Sequence, residues 1–272
     1  MQEHDDALSP RMAELYLERV GVDAAAADKD FLDRLIFAHQ CSVPFENIDV
    51  YDGGLDIHLT TEKLFDKLVL RRRGGYCFEL NGLFRRLLDA LGFETRSCLA
   101  RVLMGRDIVP PPLHRVTLAD LGGRLYFCDV GFGGPMPAAA IPLGPGIHAD
   151  AEGGRFSLEE DRRGWWTLFS HSGGEPSPLI SLETADRPEV DFLAPSYYCS
   201  HAPESYFVGS RIANLRRPGG SAQLSGTRFK LVRKGAPPEE STAETPESLA
   251  ALLQDHFGIN VQGEGIVFRD AP

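Results

Sequence analysis

Arg72-Arg73-Gly74-Gly75-Tyr76-Cys77-Phe78-Glu79-Leu80-Asn81-Gly82 is the stretch on which the reading of the chain turns. Upstream, Lys67-Leu68-Val69-Leu70 closes an amphipathic run, and the paired glycines break it. Downstream, the apolar residues between Phe78 and Leu91 recur at three-to-four spacing, which predicts a helix stopped by Gly92. Cys77 therefore stands where a tight glycine turn passes into a helix N-terminus. The free N–H groups and positive dipole end there favour an anion, and the anion of a thiol is its reactive form. The same position also suits a small buried apolar residue, the commonest fate of a free cysteine. The neighbouring Arg71-Arg72-Arg73 reads either as a local basic patch for an anionic ligand or as a solvated face.

Working outward, Ser9-Pro10 is an N-cap followed by proline at the first helical position, opening a helix to about Val20 that stops at Gly21. Asp28 or Asp30 starts a second helix, ending before Pro44, and a third spans Thr61 to Leu70. Residues 1–92 thus read as a helical unit, with one short strand at Leu55 to Leu59. After Gly92 the texture changes to alternating strands at Thr95–Leu103, His114–Leu118, Arg124–Val130, Trp165–Ser170 and Leu179–Leu182. This run of antiparallel strands suits a barrel or a sandwich better than a parallel sheet. A proline-rich loop is expected over 105–113, a strand at Arg228–Val232 and an exposed loop from Gly235 to Glu247. Thr245-Pro246 opens a final helix closed by Gly258.

The chain of 272 residues carries a net charge of −11, which argues against nucleic acid or an acidic membrane surface as the main partner. Its 43% hydrophobic and 25% charged residues are those of an ordinary globular protein. The cysteines at 41, 77, 98, 128 and 199 form an odd set without a CxxC pair, so neither a disulfide framework nor a structural zinc site is expected. The opening Met1-Gln2-Glu3-His4-Asp5-Asp6 is acidic and polar, unlike a secretory signal, and no apolar run approaches the roughly 18 residues of a membrane span. A cytoplasmic setting, where thiols stay reduced, is expected.

A cysteine nucleophile needs a base, and the base needs an orienting group. Among eight histidines, His114 is singled out by its hairpin. Its strand and the next flank Leu121-Gly122-Gly123, a turn signal. With a loop of Leu121-Gly122, residue 114 faces residue 129; with Gly122-Gly123, residue 129 faces residue 116. In either register His114 and Asp129 project from one face of one sheet. Asp129 ends an apolar run and wants an N–H or cationic partner, although an aspartate before Gly131 also suits a plain turn. Cys77, His114 and Asp129 together make a thiol–imidazole–carboxylate constellation suited to acyl transfer. No nucleotide-binding glycine loop and no HExxH appears. The same triad would serve a hydrolase, a transglutaminase-type enzyme or an amide synthase, and a ligand-binding protein on an inherited scaffold is a further alternative.

Val43-Pro44-Phe45-Glu46-Asn47, Arg73-Gly74-Gly75-Tyr76-Cys77-Phe78-Glu79-Leu80-Asn81, His114 and Asp129-Val130-Gly131-Phe132-Gly133 resemble the motifs of the arylamine N-acetyltransferases, in family order and at family spacing. The resemblance implies an α+β fold with a cysteine-protease-like catalytic core. Its expected parts are a helical bundle over 1–92, a central antiparallel β-barrel over 93–200 and an α/β lid over 201–272. It implies acetyl-CoA as donor, no metal, and an arylamine, arylhydroxylamine or hydrazine as acceptor, with Cys77 as nucleophile, His114 as base and Asp129 as orienting carboxylate. Gly131, Phe132 and Gly133 resemble the segment that contacts the coenzyme. Pro203-Glu204-Ser205-Tyr206-Phe207 is similar to the lid motif PxSxF, which makes Phe207 a further coenzyme contact. Two departures stand out: Leu80 replaces a residue that is often polar, and the run Ser196 to Ala202 replaces one that begins with Asn and continues Ser-Thr. The acceptor's identity, the acyl-chain preference and the oligomeric state, a homodimer included, are left open.

Overall fold

The computed structural model describes residues 7–104, 108–172, 174–262 and 266–269. Local rules place the first helices. Ser9 Oγ accepts the Met12 N–H and Pro10 opens α1 (Pro10–Val20), which ends on Gly21 in the left-handed region. Asp28 caps α2 (Lys29–Ser42) by accepting the Phe31 N–H at 2.8 Å. A two-residue strand β1 (Phe45–Glu46) and a helical turn α3 (Ile48–Tyr51) follow. The expected third helix divides into α4 (Thr61–Phe65) and a π-helical turn at Asp66–Leu70, whose wider winding ends with the Arg71 N–H on the Asp66 carbonyl. The helix carrying Cys77 is α5 (Cys77–Ala90). The strand expected at Leu55–Leu59 does not form: the segment is irregular among the described residues and Leu55 is exposed.

Eight antiparallel strands form one strongly curved sheet, a nearly closed barrel, in the order β5-β4-β3-β2-β9-β8-β7-β6. They are β2 (Glu94–Val102), β3 (His114–Leu121), β4 (Arg124–Cys128), β5 (Ile141–Pro142), β6 (His148–Ala151), β7 (Gly154–Glu160), β8 (Trp166–Ser170) and β9 (Ser177–Leu182). Leu121 pairs with Arg124, so the hairpin loop is Gly122-Gly123, both at positive φ as a tight two-residue turn requires. Thr117 pairs with Cys128 across the ladder, which is the second of the two registers considered. Residues 105–107 of the expected proline-rich loop lie outside the described residues.

The chain then passes through α6 (Leu193–His201) and α7 (Tyr206–Gly209) into a second sheet, ordered β1-β10-β11-β12-β13. Its later strands are β10 (Ile212–Arg217), β11 (Gly220–Ser225), β12 (Arg228–Arg233) and β13 (Glu239–Thr242), and α8 (Pro246–Phe257) packs on it. The strand β13 occupies part of the stretch expected to be loop. Three apolar clusters result: one among the helices that includes Cys77, one inside the barrel and one between α8 and the second sheet. No described helix is long and apolar enough to cross a membrane.

His39 packs in the helical unit at 1% exposure, its Nδ1 2.8 Å from the Tyr16 hydroxyl and its Nε2 without a partner among the described residues. Burial, reinforced by Arg19, pulls its titration down from 6.5 to about 3. Between those values the unfolded chain binds a proton that the folded chain does not. The stabilising contribution is therefore whole above about pH 6.5 and is lost as the pH falls towards 3, at no more than about 1.4 kcal/mol per pH unit. His39→Gln keeps an acceptor for Tyr16 and should flatten the fall in urea midpoint on acidification. Equal slopes in parent and variant would contradict this assignment.

Candidate active site

The loop before α5 is fixed by a buried network of two cations and three carboxylates. Arg73 Nη2 lies 2.8 Å from Glu46 Oε1 and 2.8 Å from Asp49 Oδ1, and Lys67 Nζ lies 2.8 Å from Asp49 Oδ2 and 2.7 Å from Glu79 Oε1. Glu46 also accepts the Ile48 N–H, and Glu79 accepts the Tyr76 N–H at the start of α5. Burial acts to raise the Asp49 carboxyl, but Lys67 and Arg73 outweigh it and hold the group well below the usual carboxylate range. Removing one partner from such a cluster costs about 3–5 kcal/mol, because the charge left behind is buried and unpaired. The Glu46 N–H donates to the Gly75 carbonyl and the Gly75 N–H to Pro44, so the Pro44–Asn47 and Arg73–Cys77 segments lie side by side as one unit. Of the basic patch considered for Arg71–Arg73, Arg73 is buried in this network, whereas Arg71, paired with Asp66, and Arg72 are exposed.

Cys77 is the first residue of α5 and is 2% exposed. Its sulfur rests against the start of β3, with the thiol directed at the Leu113 carbonyl at 3.8 Å. Burial pushes the Cys77 thiol well above its ordinary value, and Cys199 and Asp129 push the same way. The backbone N–H groups of Arg115 and Phe78 pull it down. The helix N-terminus alone therefore does not deliver the low-lying thiolate expected from sequence.

His114 opens β3 and Asp129 follows β4, both 2% exposed. His114 Nε2 lies 2.7 Å from Asp129 Oδ2. The other carboxylate oxygen, Oδ1, accepts from Asn81 Nδ2 at 2.9 Å and from the Gly131 N–H at 2.8 Å. Asn81 in turn donates to the Arg115 carbonyl at 2.6 Å and accepts the Val130 N–H at 3.0 Å. Asn81 thus ties α5 to β3 and to the segment that follows β4. Its place within the motif is evident from sequence, but this role is not; the available signal is its position four residues after Cys77, on the same helical face. A Cβ on Gly131 would lie 3.0 Å from Cys77 Cα and 2.8 Å from Asn81 Nδ2, so only glycine lets this backbone reach α5.

Phe132 meets His114 edge-on, with ring centroids 5.7 Å apart. Phe132 also lines a cleft of about 320 Å³, together with Gln40, Val43, Phe45, Gly133 to Met136, and Asn214 to Arg216 of β10. Phe207 does not line this cleft; it packs on Phe45 and Tyr76 at 5.9 and 5.5 Å, with Phe45 between it and the cleft. Asn47 holds the α7 segment in place, donating to the Phe207 and Ser210 carbonyls at 2.7 Å each and accepting the Ile212 N–H. Sequence reasoning also passed over Lys67 and Asp49, which act on the site only through the folded loop.

A family model described as N-acetyltransferase matches residues 28–266. The chain is 33% identical over 240 residues to an arylamine N-acetyltransferase of Escherichia coli, covering 88% of this chain and 85% of that protein. It is 35% identical over 255 residues to an arylamine N-acetyltransferase of Mycolicibacterium smegmatis, covering 90% and 91% respectively. Among solved structures, the Salmonella typhimurium arylamine N-acetyltransferase superposes with a TM-score of 0.89 at 30% identity, covering 97% of this chain and 96% of that one. The Mycobacterium marinum arylamine N-acetyltransferase in complex with CoA superposes with a TM-score of 0.84 at 33% identity, over 92% and 93%. With the fold, the order of motifs and the length in agreement from α2 to the segment beyond α8, the chain belongs to the arylamine N-acetyltransferase family.

Proposed function

We propose that this protein transfers the acetyl group of acetyl-CoA to an arylamine, arylhydroxylamine or hydrazine by a two-stage route through an acetyl thioester on Cys77. The observation that carries this reading is the fully buried Asp129 carboxylate bonded to His114 Nε2 beside the helix start that bears Cys77. A carboxylate can only accept, so Nε2 holds the ring proton and Nδ1 carries the lone pair. A lone thiolate is disfavoured at the depth of Cys77, whereas handing its proton to Nδ1 of His114 creates a neutral pair of opposite charges. That pair escapes most of the penalty that burial imposes on one charge.

In the first stage the Cys77 sulfur attacks the acetyl carbonyl and forms the new C–S bond. The bond to the coenzyme sulfur breaks, and the coenzyme thiol leaves with the proton that His114 had taken. In the second stage the acceptor nitrogen attacks the thioester, gives its proton to Nδ1, and Cys77 departs as the thiolate. Asp129 keeps the ring oriented and stabilises its charged form throughout, without taking the proton itself. The CoA-bound relative supports the donor, and the names of the relatives support the acceptor class. The cleft beside Phe132 and Gly133 supports the coenzyme-contacting role for those two residues: its glycine-rich wall leaves backbone groups approachable, and Arg216 supplies a cation there. Gly131 does not line the cleft and packs against the start of α5. Phe207 acts one layer back, by supporting Phe45.

With acetyl-CoA limiting and no acceptor, one acetyl group per chain should accumulate on Cys77, measured by intact mass and peptide mapping, and should discharge when an arylamine is added. Acetylation spread over several residues, or none, would overturn the reading. Asn81→Ala removes one donor from Asp129 and the acceptor for Val130. It should cost about 1–3 kcal/mol of stability and slow formation of the adduct by at least about tenfold. A variant as fast and as stable as the parent would remove Asn81 from the positioning apparatus.

A further inference from the structure

Cys199 takes no part in the transfer chemistry, yet its sulfur shares an acceptor with that of Cys77. The thiols of Cys77 and Cys199 point at the same Leu113 carbonyl oxygen, at 3.8 and 3.9 Å. Both residues are buried, at 2% and 3% exposure, and both belong to the helical cluster. The helix bearing Cys199 is fastened to the start of α5: the Tyr76 hydroxyl lies 2.5 Å from Ser196 Oγ and donates to the Ser196 carbonyl at 3.1 Å. At its other end the Ser205 hydroxyl donates to the Cys199 carbonyl at 2.5 Å. Of the remaining cysteines, Cys128 directs its thiol back at Tyr126 of its own strand, Cys98 lies inside the barrel, and Cys41, on α2, lines a separate pocket with Arg217 and His256. Among the described residues, Cys199 is the one cysteine whose thiol shares an acceptor with that of Cys77.

We propose that Cys77 and Cys199 form a reversible oxidation site, in which a hydroperoxide oxidises Cys77 and Cys199 closes the product into a disulfide. The inference rests on the reading of Cys77 as the reactive thiol. The Cys77 thiolate attacks one oxygen of hydrogen peroxide, the O–O bond breaks, and the departing hydroxide leaves as water with the imidazolium proton. Cys77 is then a sulfenic acid, oxidised by two electrons. The Cys199 sulfur attacks the Cys77 sulfur, the S–O bond breaks, and hydroxide leaves with the Cys199 proton as a second water. Two thiols and one peroxide become one disulfide and two waters. Closure asks the two side chains to turn from the shared carbonyl towards each other. Burial pushes both thiols up, Cys199 to about 12, and on the proposed reading Cys77 is the one with an imidazole to take its proton, so Cys199 is not the first point of attack. The division of labour is an oxidisable Cys77 and a resolving Cys199. The disulfide would halt acyl transfer and keep Cys77 from the irreversible sulfinic and sulfonic states.

The test treats the reduced full chain with hydrogen peroxide, caps free thiols with iodoacetamide and maps peptides without reductant. The expected result is a linked peptide pair joining residues 77 and 199, an intact mass lower by two hydrogens, and activity restored by dithiothreitol. Cys199→Ser and Cys199→Val should instead accumulate two or three oxygens on Cys77 and recover at least about tenfold less activity. Parent protein that gains oxygens on Cys77 without a link, or that links Cys77 to another cysteine, overturns the proposal. Iodoacetamide labelling of the reduced parent separates the two readings. Selective labelling of Cys77 without a later link rejects this inference alone, whereas an unreactive Cys77 rejects the nucleophile on which it rests.

Discussion

The contact between His114 Nε2 and Asp129 Oδ2, at 2.7 Å in a site closed to solvent, constrains the architecture around it. A carboxylate withdrawn from water is tolerable only when both of its oxygens find donors. Here the imidazole, the Asn81 amide and the Gly131 N–H supply them, and they come from a strand, a helix and a loop. Those three elements must converge for the charge to be accommodated. The turn after β4, the close approach of Gly131 to α5 and the placing of Asn81 four residues beyond Cys77 are consequences of that requirement.

The same logic repeats on the other side of the helix start. Lys67 and Arg73, with Glu46, Asp49 and Glu79, form a closed set of buried charges in which each carboxylate meets a cation. Such a set adds little net stability compared with well-packed apolar groups, but breaking it is severe, so it fixes one conformation. What it fixes is the backbone from Arg73 to Glu79, and with it the position of the sulfur. Two motifs far apart in the chain, around Phe45-Glu46-Asn47 and around Cys77, are thereby two halves of one support. Asn47 extends the support to α7, joining the second sheet to the helical unit.

Much of this was legible in the residues. Helix ends marked by Ser9-Pro10, Asp28, Thr245-Pro246 and Gly258 fall where capping chemistry places them, because these signals act within a few residues. The parity of the β3–β4 hairpin put His114 and Asp129 on one face before the loop was known, and the Gly122-Gly123 turn preserves it. What escaped the reading depends on partners distant in sequence. The strand β13 has all four residues exposed, so it carries no alternation to detect and forms only because β12 offers an edge. Arg73 looks like its solvated neighbours Arg71 and Arg72 until Glu46 and Asp49 are folded against it. Burial also reverses one expectation: a helix N-terminus favours the Cys77 thiolate, but at this depth desolvation is the larger effect. On the proposed reading, any thiolate at Cys77 depends on the imidazole of His114.

Ultraviolet difference spectra between the parent protein and Cys77→Ser, recorded across pH, measure that dependence directly through the absorbance of a thiolate. The account predicts a thiolate signal at neutral pH that is assignable to Cys77 and disappears in His114→Gln, returning there only at strongly alkaline pH. Absence of the signal from the parent at neutral pH, or its persistence in His114→Gln, would contradict the claim that the imidazole held by Asp129 takes the proton from Cys77.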